Sequence, residues 1–523
     1  MTDSRWTLAC EWAGYTFEPT LAEDPRISAR ASFWRASDAE RTADVSFVDE
    51  IGVARLVAQG HRPQTGTAIL SYDGVEMVRG NWRNLEYGAL FGVCAIEFGQ
   101  AIEDDRALVP GYGDVQRRLT DAELSQTAYI QERSEYPVGL LAAEKIIYGN
   151  VARASEGRIL PLVFGAPGTV DRPGSPAIFA DTVTDGGRFI IALGEVAATT
   201  VRLWGPDSNG DLVKSGAMDV FQGADPNGVR YAFVKFNDAN IGSVTADAES
   251  DYFVSWTGGD ALPGGAGDVM ITLLGLSSLY VDYAAWEAYR DRLNLYVLAG
   301  YVDDQVSPAA LALKTIAKDL PIGARYGVNG LQPTVWPWLD DEDAAQAVTE
   351  IVAATPLPDE QYTTWAAGTE CRALSRVGFT GDGTVTSSTI QYGYDPESTN
   401  YTQVATLSPS DSAYGALAIS RAGASVDATE RKTRWVNDEA TATGLALQRM
   451  RAESIPRRTI RLACPPATYG PGGIIPLSEG MGVKLTIPDL HIEDRPAHID
   501  RITWSTAIVE IILEIRDDPL SDG

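Results

Sequence analysis

Apolar and polar residues alternate through much of the first hundred positions. Trp6, Leu8, Cys10 and Trp12 are interleaved with Thr7, Ala9 and Glu11; Ile27, Ala29, Ala31 and Phe33 repeat the pattern, and Val45 and Phe47 give a third run. A period of two sends successive side chains to opposite faces, so each run predicts a half-buried strand. AILSY and VEMVRG flank Asp73-Gly74, a dipeptide that favours a type I′ turn, which predicts a hairpin. Cys94, Ile96 and Phe98 close the set. Strands of this kind, with turns every ten residues or so (about 8–12), predict a barrel or sandwich.

The period then changes. LTDAELSQTAYIQERSEYP, with Thr120 or Asp121 as cap and Pro137 as stop, predicts a helix within 113–148. GRILPLVFGAPGTV, 157–170, is a short apolar strand with proline inside, which suits an edge or a connector because proline cannot donate to the ladder. Between 176 and 257, FIIALGEV, TVRLWG, DLVKSGAM, RYAFVKF and DYFVSW alternate with Gly-, Asn- and Asp-rich turns and predict a small sandwich. TGGDALPGGAGD marks a boundary.

Residues 267–339 read as helix, helix, strand and a third helix. Asp268 and Asp282 are the expected caps of the first two. Trp286, Tyr289 and Leu293 form the apolar stripe of the second. Ser307-Pro308 opens the third, with proline at its permitted first position, and Leu313, Ile316, Ala317 and Leu320 face a core before Pro321 stops it. Asp340, Asp341, Glu342 and Asp343 precede AAQAVTEIVAA and read as an acidic first turn stabilised by the helix dipole. Strands return over 361–435. A helix over 437–454 follows, capped by Asn437 or Asp438, with Ala442, Leu445, Ala446 and Met450 as its stripe, Arg449 and Arg451 in its last turn and Pro456 beyond it. Three strands are expected after it. In the last, Val509, Ile511, Leu513 and Ile515 face one way and Glu510, Ile512 and Glu514 the other, so the unit predicts a capped helix laid on an antiparallel sheet or small barrel.

The chain is therefore expected to be a β-rich α+β multidomain protein. The predicted units are an N-terminal β domain, 1–112; a helical connector, 113–156; a β-sandwich, 157–266; a helical α+β domain, 267–360; and a C-terminal β domain, 361–523. The length of 523 residues agrees with three to four domains at ~150 residues each.

Charge and chemistry narrow the function. Acidic residues number 71 and basic residues 42, a formal charge of −29, and such a surface repels nucleic-acid phosphate and anionic lipid. It argues against a DNA-gripping protein but not against one past which DNA slides. No basic and apolar leader opens the sequence, and no run of about 18 apolar residues predicts a membrane-spanning helix. Cys10, Cys94, Cys371 and Cys464 form no CxxC pair, so zinc and iron–sulfur spacings are absent and the thiols read as buried. His61, His491 and His498 are the three histidines, and the last two, seven apart, lack the companions of a metal or catalytic pair. HExxH, GxSxG and GxxxxGK[ST] are absent. PDSNGD lacks the carboxylate ligand of a calcium loop and reads as a hairpin turn. Gly378, Gly381 and Gly383 read as a turn, and Trp336-Pro337-Trp338 as a packed corner before a sugar platform. No catalytic, cofactor-binding or metal-binding residue is predicted; the expectation is a non-enzyme without cofactors.

Two stretches carry a resemblance. Over 267–339, G-D-V, L-L, V-D and D-x-L-N-x-Y-x-L-A-G-Y follow in order. From about 385 to 516 come Y-x-Y, YG, V-x-D-E-A-x-A, L-x-x-G-x-x-V-x-L-T and V-x-I-x-L-x-I. Their order resembles the baseplate hub, or tail-tip hub, proteins of long-tailed bacteriophages. The resemblance implies two tube-like β-barrel or sandwich modules at the N- and C-terminal ends, packed side by side and flanking the sandwich and the small helical domain. It implies a homotrimer forming a pseudo-six-fold ring that continues and closes the tail tube in the virion and opens for DNA ejection after host attachment. Its implied partners are a distal tail protein, a tape-measure protein, and a tail fibre or receptor-binding tip protein. The alternative, supported by 12 Trp, 21 Tyr and the sandwich pattern, is a multidomain carbohydrate-binding or polysaccharide-degrading protein.

Overall fold

The first strand carries out the alternation in full: in β1 (Trp6–Trp12), Trp6, Leu8, Cys10 and Trp12 are buried while Thr7 and Glu11 are exposed. The structure is a computed structural model. It describes residues 5–33, 39–88, 92–105, 107, 161–183, 186–194, 196, 200–224, 230–236, 244–245, 250–259, 262–302, 306–327, 329–335, 350–354, 371–373, 378–380, 385–422, 430–454, 457–469, 474–475, 477–505 and 508–515. The expected helical connector 113–156, the Trp336–Trp338 corner, the acidic run 340–343, and Gly381 and Gly383 lie outside them.

After β1 come β2 (Tyr15–Phe17), β3 (Arg26–Arg30), β4 (Ser32–Phe33), β5 (Glu40–Val48), helix α1 (Val53–Ala58), β6 (Thr67–Tyr72), β7 (Val75–Tyr87) and β8 (Val93–Gln100). The β6–β7 turn has Asp73 at φ 52° and Gly74 at φ 79°, the two positive values a type I′ turn needs. Next are β9 (Leu162–Phe164), β10 (Ser175–Val183), β11 (Gly186–Leu193), β12 (Thr200–Pro206), β13 (Leu212–Lys214), β14 (Val220–Ala224), β15 (Arg230–Lys235) and β16 (Tyr252–Thr257). Then come α2 (Ala266–Gly275), α3 (Tyr283–Leu293), β17 (Gly300–Val302), α4 (Pro308–Ala310) running into a π-helical stretch Leu311–Ile316, β18 (Ile322–Gly327) and β19 (Gly330–Val335). The remainder is β20 (Glu350–Ala354), β21 (Cys371–Ala373), β22 (Gly378–Thr380), β23 (Ser388–Asp395), β24 (Asn400–Leu407), α5 (Ala413–Ala422), β25 (Arg431–Lys432) and α6 (Glu439–Glu453), then β26 (Arg457–Cys464), α7 (Pro466–Tyr469), β27 (Gly482–Ile487), β28 (Ile492–Trp504) and β29 (Val509–Ile515). The protein is β-rich, with several sheets and few helices.

One sheet of 14 strands contains both ends of the chain, in the order β2-β1-β6-β7-β8-β5-β3-β28-β27-β20-β21-β26-β22, with β29 paired to β26 and β28. The pairings β28–β27, β27–β20, β20–β21, β21–β26, β26–β29 and β29–β28 return to their start, so these strands close a barrel. The N-terminal strands close too. Beyond β2, Leu21 bridges to Phe47 on β5, with Ala22 N donating to Ser46 O at 2.8 Å and Val48 N to Thr20 O at 2.8 Å. Closure leaves few unpaired edges and puts one face of every strand inside. Val509, Ile511, Leu513 and Ile515 of β29 are all fully buried, each stabilising by about 1.5–3 kcal/mol. Strand β3 links the barrels: it pairs with β5 on one side and with β28 on the other, and one apolar core runs through both.

The sandwich has the order β13-β12-β16-β10-β11-β15-β14. Strand β10 joins its halves, pairing with β16 through Ser175–Ala177 and with β11 from Ile178 onward, with a bulge between Phe179 and Asp181. Its core includes Phe189, Val234, Tyr252 and Trp256.

The third core differs from the sequence expectation. Helix α6 is capped by Asp438, whose Oδ1 accepts from Thr441 N at 2.8 Å, and Ala442, Leu445, Ala446 and Met450 are buried as the spacing requires. Its stripe does not lie on the closing strands, however. It packs on β23 and β24 and shares a core with α2, α3 and the π-helical stretch. Four strands follow it, not three, because HIDRITW and VEIILEI are separate strands divided by a turn in which Ser505 N donates to Ile508 O. Nor does Asp268 cap α2: Gly265 holds that position, and Asp268 N donates instead to Asn294 Oδ1 at 3.1 Å, at the end of α3. Asp282 caps α3 as expected, accepting from Ala285 N at 3.1 Å; Trp286 and Leu293 are buried and Tyr289 is half-buried. Ser307 caps α4, accepting from Ala310 N at 3.1 Å, and Leu313, Ile316, Ala317 and Leu320 are all buried.

Candidate functional site: the joint between the barrels and the helical core

The chain's ends meet at the β3–β28 seam, and the side chains beneath it join them to the middle of the sequence. Across the seam Ile27 faces Trp504, Ser28 faces Thr503, Ala29 faces Ile502 and Arg30 faces Arg501. Arg41, on the neighbouring β5, is buried below. Its Nη1 donates to Tyr326 O at 3.0 Å and lies 3.4 Å from Glu479 Oε1, while its guanidinium stands 5.3 Å from the centre of the Trp504 ring. Arg325 Nη1 donates to Ser478 Oγ at 2.8 Å and to Glu479 O at 3.1 Å. Residues from the N-terminal barrel, the β18–β19 hairpin and the loop before β27 therefore converge on one buried cluster. Burial pushes the Glu479 carboxyl up, against the opposing pull of Arg41 and Arg325. Gly480, at φ 75°, seals the contact: a Cβ there would meet Thr334 Cγ2 at 2.7 Å and Ala31 Cβ at 3.1 Å.

A second fastening lies where the N-terminal barrel ends. Asp105 accepts from Ser278 N and Ser278 Oγ, both at 2.9 Å, from Ser307 Oγ at 2.7 Å and from Ala309 N at 2.9 Å. Burial pushes this carboxyl up, but the four donors outweigh it and hold the group below the usual carboxylate range. Nearby, Arg83 pairs with Asp104 at 3.6 Å and Lys314 with Glu103 at 2.6 Å.

Between these fastenings is a recess of about 330 Å³, walled by β6, β7 and β8 on one side and by residues 278–280 on the other. Glu11, Arg79, Asn81, Gln100, Tyr280 and Tyr326 line it. Glu76 grips Arg79 through two bonds, at 2.9 and 2.6 Å. The Tyr326 hydroxyl is buried without a hydrogen-bond partner in the protein, and burial, aided by Asp104, pushes it well above the ordinary phenol value. Such a phenol stays protonated and cannot serve as a base near neutral pH.

The histidines are not brought into this joint. His61 is exposed beside Trp12; His491 is exposed at φ 52° in a turn; His498 is buried in β28, opposite Gly482 and Glu514. Among the described residues no three His, Cys, Asp or Glu side chains group as a metal site. The PDSNGD turn spends its first carboxylate on its own backbone, Asp207 Oδ1 accepting from Asn209 N at 2.8 Å and Asp211 N at 3.0 Å. Gly378 opens β22. The four cysteines are free and buried. The joint itself escaped the sequence reading, because Asp105, Arg41 and Glu479 stand in no local motif and find their partners far along the chain. Among the described residues, no helix is long and apolar enough to cross a membrane.

No protein-family model matches the chain, and no curated protein matches it. Solved structures do. A tail protein from Neisseria meningitidis MC58 is 8% identical, with 98% of this chain and 97% of that one covered and a TM-score of 0.38. The 43 kDa tail protein of prophage MuSo2 from Shewanella oneidensis is 8% identical over 98% and 100%, with a TM-score of 0.37. A chain in the virion of a native gene transfer agent particle is 13% identical over 71% and 87%, with a TM-score of 0.37. Values of this size transfer neither activity nor partners to this chain.

Proposed function

We propose that this chain is a structural protein of a phage virion, the central hub of a tail tip or baseplate, and not an enzyme. The observation that carries the reading is the continuous sheet in which β3 of the first hundred residues pairs with β28 of the last hundred, beside two closed barrels. Two tube-like modules side by side in each of three copies make a pseudo-six-fold ring, the arrangement implied by the hub-like motifs over 267–339 and 385–516. Symmetric closure buries surfaces that a single copy leaves open. The formal charge of −29 suits a bore through which DNA slides, since no phosphate is neutralised there. In this reading the ring continues the tail tube next to a distal tail protein, meets the tape-measure protein and a fibre or receptor-binding tip, and opens after host attachment.

The test is the mass of the purified full chain by size-exclusion chromatography with light scattering, alone and mixed with tail proteins from the same particle. A trimer, or one that forms on mixing, is expected. A monomer that ignores those proteins overturns the reading. A second reading, a carbohydrate-binding or polysaccharide-degrading protein, draws on the polar recess beside Tyr280. Against it, every described tryptophan is buried and none offers a stacking face. Release of reducing sugar from host polysaccharide would restore it.

A further inference from the structure

Cys371 and Cys464 are far apart in sequence but meet across the C-terminal barrel. The register between β21 and β26 sets Ala373 opposite Leu462 and Arg372 opposite Ala463, and one step along the same antiparallel ladder sets Cys371 opposite Cys464. Directly opposed residues of an antiparallel pair have Cα atoms about 4.5–5.5 Å apart. A disulfide spans about 4.4–6.8 Å between Cα atoms, a range that includes this spacing. Both side chains are fully buried, and Cys371 adds to the burial that pushes the neighbouring Cys464 thiol and Tyr469 hydroxyl up. Strand β21 is also the shortest rung of the closed barrel: three residues, with two paired positions on each side.

We propose that Cys371 and Cys464 form a cross-strand disulfide that staples β21 to β26 when the protein meets a low-molecular-weight disulfide as oxidant. One thiolate attacks a sulfur of the oxidant, its S–S bond breaks, and one small thiol leaves. The second protein thiolate then attacks the protein sulfur of the mixed disulfide and expels the other small thiol. The two protein thiols are oxidised, the oxidant is reduced to two thiols, and those take up both protons. Burial holds the Cys464 thiol protonated, so the exchange is slow until β21 lifts from the barrel. The barrel thus folds without the bond in a reducing compartment and is locked by it in an oxidising one.

The test treats the full chain with oxidised glutathione, with and without mild urea to open β21, caps the remaining thiols with N-ethylmaleimide and maps peptides under non-reducing conditions. A cross-linked peptide containing Cys371 and Cys464 is expected, with Cys10 and Cys94 capped, together with a rise in Tm that dithiothreitol reverses. Cys371→Ser should abolish both the cross-link and the rise; Cys464→Ala serves the same purpose if that variant fails to fold. Four capped cysteines in both conditions, glutathione retained on either residue without a cross-link, or a cross-link to Cys10 or Cys94 would each overturn the proposal.

Discussion

Asp105 and Glu479 both anchor the barrels to the helical core, and both are buried, but their partners differ in kind. Asp105 meets four short-range donors, two of them backbone N–H groups, one at the start of α4. Glu479 relies on charge: Arg41 stands 3.4 Å from Oε1, and Oε2 has no hydrogen-bond partner in the protein. The consequence appears in their acidity, for burial raises Glu479 on balance while the donors lower Asp105. Donors fixed in place offset burial more fully than a guanidinium at longer range, whose attraction must first repay the cost of dehydrating two ions. The Glu479 side gains specificity instead, because only a correctly assembled joint brings strands from three parts of the chain around one carboxylate.

Breaking the charged side should give the largest effect. Glu479→Ala leaves Arg41 buried without its counter-ion, and a loss of about 3–5 kcal/mol is expected. The double variant Arg41→Met with Glu479→Leu should recover most of that loss, since apolar residues of similar volume remove both dehydration costs. Urea unfolding followed by intrinsic tryptophan fluorescence, to which Trp504 against Arg41 contributes, reads the difference. A double variant as unstable as the single one would show that the pair contributes net stability, contrary to the contrast drawn with Asp105.

The donor-rich side should cost less and respond to acid in the opposite sense. Asp105→Asn removes the charge from four hydrogen bonds, with an expected loss of about 1.5–3 kcal/mol at neutral pH. The folded Asp105 carboxyl is lowered, so its contribution is complete above the ordinary carboxylate range and disappears as pH falls through the lowered value. The folded Glu479 carboxyl is raised, so its contribution is complete below that range and is lost as pH rises through the raised value. Between the two folded values, mild acid should therefore weaken Asp105→Asn and the wild type to different extents, and Glu479→Gln should flatten the profile on the upper side only. Thermal unfolding across pH checks both; superimposable profiles for the two variants would erase the distinction.

The elements of these two regions were not equally legible. Local patterns sufficed for β1, for the Asp73-Gly74 hairpin and for the caps Asp282, Ser307 and Asp438, because alternation, turn chemistry and capping act within a few residues. The hub-like motifs lie over 267–339 and about 385–516, and nothing in them specifies that β3 pairs with β28. The apolar stripe of α6 announced a buried face without saying which sheet would cover it, and β23–β24 did so in place of the closing strands. The four cysteines read as scattered, because strand register brings Cys371 opposite Cys464 and no spacing encodes register. Asp105 and Glu479 were invisible for the same reason: each finds its partners far along the chain.

The smallest effect tests whether surface charge contributes to the same joint. Lys314 Nζ lies 2.6 Å from Glu103 Oε1, two positions before Asp105 in the chain, but the side chains remain 43% and 65% exposed. Water and salt screen such a pair, so Lys314→Ala should cost no more than about 0.5 kcal/mol, and less as ionic strength rises. The Glu103 carboxyl feels its own partial burial, which raises it, and is nonetheless lowered on balance by Lys314; the small contribution is present above the ordinary carboxylate range and is lost in acid. Urea unfolding of Lys314→Ala at low and high salt measures it directly. A loss matching that of Asp105→Asn would mean that the joint is held from its rim and that the buried donors only follow, reversing the order of importance that burial and hydrogen-bond geometry assign to the two residues.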